Sequence, residues 1–307
     1  DLEGYFENLL VNQGFTKFEL QERKAGTNIQ KAHYKFFYKP IHQTLAEEES
    51  ILLDIIFEKV DYQKIEEIPI ESKFLLSEGN PISVRVPSKE DILGDKLTAF
   101  APNTTGIPYF KGKTSMSMEI LKQLYDLGNL IDVVEDCALV KTTFALFAAR
   151  ELKYRGSKEN VDAVIEDIYQ TALCLVSRGV IGNGNFEELQ TGIQRVSRFI
   201  FSETFYIDKA ITAASKAAYL AVLLRSKNAV IEKYDDPKIM KDWSIGEPLW
   251  PKLNKLKKSN PEAFFYWYKL SQLNRSWKIP TSLSEIPFIS SVLIFNSTPD
   301  ALGSKKP

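Results

Sequence analysis

The chain has 307 residues, 44% hydrophobic and 26% charged, close to the average for folded globular proteins. This excludes a mainly disordered chain, a disulfide framework and a collagen-like repeat. Thirty-nine Lys and Arg against forty Asp and Glu give a net charge of −1, which excludes a surface basic all over and leaves room only for a local nucleic-acid groove.

Leu2 to Gln13 repeats apolar residues at helical spacing (Leu2, Tyr5, Phe6, Leu9, Leu10) and predicts a helix ending near Gly14. Strand-like segments follow at Phe15–Arg23, His33–Tyr38, Ser50–Phe57 and Ile82–Val86. Ser50–Phe57 (SILLDIIF) is almost continuously apolar, as expected of a central strand buried on both faces. After Pro87 the pattern turns helical. Ser88 is placed as an N-cap with acids in the first turn, opening a helix with Ile92, Leu93, Lys96, Leu97 and Phe100. A Gly-, Pro- and Thr-rich loop, Pro102–Thr114, leads into a helix over Ser117–Val134. Further helices are expected near 136–154, 159–178, 186–202, 206–228 and 259–273, with broken helix over 235–257.

Strands first and helices after make an α+β fold followed by a helical bundle. The expected boundaries are 1–135, 136–290 and a polar, frayed tail over 291–307. Cys137 and Cys174 lie in apolar helical patterns and read as buried thiols; with His33 and His42 they make a poor zinc set. No apolar run is long enough to span a bilayer and no signal peptide opens the chain, so a cytoplasmic location is expected. Arg178–Gly184 reads as a helix end and turn. The basic stretch Lys252–Lys258 beside the aromatics of 264–268 reads as a solvated face next to a core cluster, with an RNA contact as the alternative.

Three residues invite chemistry. Asp54 stands mid-strand in LLDIIF, where a dry, unpaired carboxylate would cost several kcal/mol, so a cation, a metal or solvent must compensate. Lys96 shares the apolar stripe of its helix; it either snorkels to the edge or reaches a phosphate. Asp126 lies four residues after Lys122, the spacing of an ordinary helical ion pair.

The order of LLDIIF (52–57), VPSKEDILGDKLTAF (86–100) and KQLYDLGNLI (122–131) resembles the abortive-infection AbiEii/AbiGii-type toxins, of the nucleotidyltransferase superfamily related to DNA polymerase β. The resemblance spans roughly 15–135. It implies a nucleotidyltransferase-like mixed sheet with helices. Asp54 would bind Mg2+, Lys96 and Lys122 would contact the phosphates of a nucleoside triphosphate, and Asp126 would order the site or help remove a proton. It further implies transfer of a nucleoside monophosphate to an acceptor such as a tRNA 3′ end, and a cognate antitoxin. Gln123 stands where relatives carry an acid. The Gly-Gly/Ser turn and Asp-x-Asp pair of that superfamily would belong before residue 1, and Asp1-Leu-Glu3 lacks the strand they require. The alternative is a catalytically inactive nucleotidyltransferase-fold module that binds protein or RNA.

Overall fold

The computed structural model describes residues 2–21, 31–41, 47–57, 61–72, 74, 76, 78–227, 229–247 and 249–273. His42, the end of the strand expected to reach Arg23, and the tail from 274 lie outside the described residues. Helix α1 (Leu2–Gln13) ends at Gly14, whose φ of +75° suits a residue without Cβ. The chain then enters β1 (Phe15–Leu20), which pairs antiparallel with β2 (Lys31–Tyr38); β3 (Glu49–Ile56) pairs antiparallel on the other side of β2. Alternation along β2 sends Tyr34 and Phe36 to one face, where Phe6 of α1 meets them with ring centroids 4.8 and 5.1 Å away. This small core, joined by Phe15, Phe18 and Ile55, covers one face of the sheet only.

The expectation of a doubly buried central strand is corrected here. β3 ends the order β1-β2-β3, and among the described residues no strand pairs with its far edge. Ile51, Leu52 and Ile56 are each more than half exposed. An apolar run reports an affinity for burial, not whether a second neighbour and a second covering layer are there to provide it.

A hairpin of β4 (Ile65–Pro69) and β5 (Ser83–Pro87) joins the sheet to the helices. β4 was not expected: Glu66 and Glu67 side by side break the period of two. Ser88 caps α2 (Lys89–Ala99) as expected, its Oγ accepting from the Asp91 N–H at 3.2 Å. The loop after α2 contains the two-residue strands β6 (Phe110–Lys111) and β7 (Thr114–Ser115). Then come α3 (Ser117–Val133), α4 (Cys137–Tyr154), α5 (Val161–Val176), α6 (Phe186–Val196) and α7 (Ile207–Leu223). Two short 3-10 turns, Pro237–Met240 and Pro251–Lys255, make up the prolyl stretch before α8 (Leu256–Ser259) and α9 (Pro261–Leu273).

The fold is thus α+β, with every described strand pairing antiparallel. One continuous apolar cluster runs from Leu93 to Leu270 and passes residue 135 without a break. Two glycines set helix spacing near the site. A Cβ on Gly94 would lie 2.8 Å from the Val140 carbonyl oxygen of α4, and one on Gly128 would lie 2.8 Å from the Ala213 Cβ of α7. Both cysteines are buried and free; burial pushes the Cys137 thiol up to about 11, so neither is a poised nucleophile. Among the described residues, no helix is long and apolar enough to cross a membrane.

Candidate active site

The start of α2 is fixed by Asp91. Its buried carboxylate accepts from the backbone N–H groups of Gln63 (3.0 Å) and Lys64 (2.8 Å) and from the hydroxyls of Ser88 (2.9 Å) and Thr143 (2.5 Å). Burial pushes this carboxyl up, but the four hydrogen bonds outweigh it and hold the group below the usual aspartate range. One turn on, Asp95 faces a different setting. It accepts from the Tyr62 hydroxyl at 2.9 Å, and burial raises it above the usual range. Arg150 lies over the Phe147 ring and pairs with Asp61 at 3.5 Å. These contacts lock α2 to α4 and to the segment before β4.

With α2 held, Lys96 projects from its last turn toward α3. Its ammonium donates to Asp126 Oδ2 at 2.6 Å and to Gln123 Oε1 at 3.3 Å. Lys96 and Asp126 are 30% and 42% exposed and line a groove of about 530 Å³ with Ile92, Tyr125, Asn129, Leu130 and Val133. Two of the expected site residues are therefore brought together across thirty residues of sequence. Gln123 contributes a carbonyl oxygen beside the lysine. Lys122 takes another course: its ammonium lies 5.5 Å from the centre of the Phe199 ring, and Asp126 pairs across the helices instead of along its own.

Asp54 sits elsewhere, on the face of the sheet that α1 does not cover. Antiparallel register sets it directly opposite His33, whose Nδ1 is 2.6 Å from Asp54 Oδ1. The sequence left His33 without a partner; the cross-strand register supplies one. The Asp54 carboxylate is more than half exposed, so solvent, one of the compensations its mid-strand position calls for, reaches it.

The model of one protein family, described as "Nucleotidyl transferase AbiEii toxin, Type IV TA system", matches residues 2–200. The chain belongs to the AbiEii family. Comparison with curated proteins and with solved structures gives no match. The match runs through the sheet and on through α6, so it takes in Asp54, Lys96 and Asp126 together.

The AbiEii family is one of nucleotidyl transferase toxins in a toxin–antitoxin system, and its chemistry raises the matter of a metal. Among the described residues, no three His, Cys, Asp or Glu side chains converge in a way that could hold a metal ion. Asp54 with His33 falls short of the carboxylate cluster that a two-metal site needs. Farther off, Lys257 spends its ammonium on the Lys241 and Trp243 carbonyls, while Phe264, Phe265, Tyr266 and Trp267 are buried in the core.

Proposed function

We propose that the α2–α3 groove binds the triphosphate of a nucleotide and that the chain transfers the nucleoside monophosphate to an acceptor hydroxyl. The observation that carries this reading is the Lys96–Asp126 pair, closed at 2.6 Å on the wall of an open groove. A partly exposed lysine hydrogen-bonded to a carboxylate and an amide can exchange partners when a more highly charged anion arrives. Lys96 moving onto a phosphate oxygen leaves Asp126 as an acidic acceptor beside the reacting groups. The acceptor oxygen then attacks the α-phosphorus and its proton passes to Asp126. The bond from the α-phosphorus to the bridging oxygen breaks, and pyrophosphate leaves with the electron pair. Neutralisation by Lys96 stabilises the charge that builds on the departing group.

We take RNA, such as a tRNA 3′ end, as the acceptor; membership of a toxin–antitoxin family supports a cognate antitoxin as the partner. A second reading, a fold that binds without transferring, is favoured by the absence of a metal-ligand cluster among the described residues. Binding of a nucleoside triphosphate to the full chain and to Lys96→Ala tests the first. The variant should bind at least ~10-fold more weakly, the worth of a charge-assisted contact, with an unchanged melting temperature. Equal affinity would remove Lys96 from the phosphate site. Mg2+-dependent label transfer to RNA separates the transferase from the binding module.

A further inference from the structure

Helix α3 has two lined faces, not one. Asp126, Asn129, Leu130 and Val133 follow i, i+3, i+4, i+7 and face the groove just described. Tyr125, Gly128, Asn129 and Asp132 follow the same spacing one residue earlier and face a second, smaller cavity of about 180 Å³ against α7 and the start of α9. Tyr125 and Asn129 border both. The two cavities are therefore neighbours around one helix, and Asp126 follows directly on Tyr125, which borders both.

The second cavity is built around a buried lysine. The Lys216 side chain is 6% exposed, and its three N–H donors are matched by Asp132 (2.7 Å), Glu262 (2.8 Å) and the Gly128 carbonyl (3.3 Å). The close approach that Gly128 allows puts that carbonyl within reach. At the rim Lys209 is paired to Glu203 at 3.1 Å. The two ammonium groups are thus already engaged, whereas Asp132, Glu262 and Glu203 remain a third to a half exposed and each carboxylate has lone pairs to spare. The spare capacity of this cavity is to accept hydrogen bonds. Three carboxylates against two ammonium groups also leave a negative balance that turns away phosphate. One net charge at a partly exposed site holds a simple cation only weakly. At about 180 Å³ the cavity is smaller than the roughly 300–1,000 Å³ that encloses a whole small ligand, so it suits one end of a longer molecule.

We propose that this cavity is the acceptor subsite and takes an uncharged, hydroxyl-rich sugar end, a ribose with its vicinal diol, while the triphosphate lies across α3 beside Lys96. The proposal rests on the transferase reading above and adds to it the second substrate's position. A transfer reaction needs donor and acceptor side by side, and two cavities sharing Tyr125 and Asn129 meet that need.

The test is binding of adenosine and of 2′,3′-dideoxyadenosine to the full chain, followed by calorimetry or ligand-observed NMR. The diol should bind about tenfold more tightly than the dideoxy form, the worth of one or two hydrogen bonds to charged acceptors. Glu203→Gln and Glu262→Gln should erase most of that difference; Glu203 lies at the rim, so its variant keeps the test open if Glu262→Gln is unstable. Lys96→Ala should weaken triphosphate binding and leave the diol preference intact. Equal binding of the two nucleosides, or a preference untouched by both glutamine variants, would overturn the proposal whatever Lys96→Ala does to the triphosphate. A short RNA with a 3′-terminal diol, set against its dideoxy-terminated form, names the source. Discrimination there marks an RNA end, and discrimination among free nucleosides alone marks a small acceptor; either result supports the site.

Discussion

The sheet with α1 and the body of α2 to α9 are two solutions to burial with unequal means. The first has a core of three buried residues, Phe6, Tyr34 and Phe36, under one helix. The second packs helices on several sides around an unbroken apolar cluster. The difference decides what each candidate residue can do. Lys96 and Asp126 hang from two helices that each bury an apolar face in the core, so the packing beneath sets their 2.6 Å approach. Asp54 and His33 meet on an open sheet face, where solvent competes for both.

A pair of leucine substitutions breaks this comparison most directly. Leu97 is fully buried next to Lys96, and Leu97→Ala should cost about 2–5 kcal/mol in a denaturant titration. Leu52, though mid-strand in an apolar run, is 58% exposed, and Leu52→Ala should stay within about 0.5 kcal/mol. A large loss at Leu52 would mean that the sheet face carrying Asp54 is covered in solution.

Next in size is a contrast within α2. Asp91→Asn keeps the shape but turns an amide N–H2 toward groups that already donate, and should cost on the order of 2 kcal/mol. Because Asp91 is held below its unfolded value of about 3.9, its stabilisation is complete above that pH and is lost as pH falls through the lower folded value. Asp95 is raised by burial, so the folded state holds its proton more tightly and its contribution improves as pH falls. Asp95→Asn retains an acceptor for Tyr62 and sheds the buried charge. It should leave neutral-pH stability within about 1 kcal/mol of the parent or raise it. Melting temperatures across pH 3–7 for the two variants check both signs.

Much of the helical structure was legible in the sequence, for a physical reason. Periodicity of 3.6 and a serine cap are local signals, and they place α1 at Leu2–Gln13 and open α2 after Ser88. Ends set by tertiary packing were less so: helices expected to reach 202 and 228 stop at Val196 and Leu223. The motif order carried the family, but the pairing of Lys96 with Asp126 is a contact between helices that no local spacing encodes. Local spacing favoured Lys122 instead. Asp95 and Lys216 gave no motif signal, since what distinguishes them is burial among charges from distant segments. For His33 the missing information was register: once β2 and β3 pair, it must face Asp54.

The smallest expected effect is at that pair, and it sharpens the comparison most. A solvent-accessible side-chain pair contributes about 0.2–1 kcal/mol, so a double-mutant cycle on His33→Ala and Asp54→Ala should give a coupling in that range. The same Asp54→Ala protein, titrated with Mg2+ in the presence of a nucleoside triphosphate, addresses the role implied by the family resemblance. Asp54 and His33 stand opposite each other in register on the face of the sheet that α1 does not cover. If Asp54 is recruited by a metal, Mg2+-dependent affinity should fall in the variant while the coupling to His33 stays small. If affinity is unchanged and the coupling exceeds about 2 kcal/mol, the pair is a structural clasp of the sheet, and the chemistry of this chain then rests on the helical body alone.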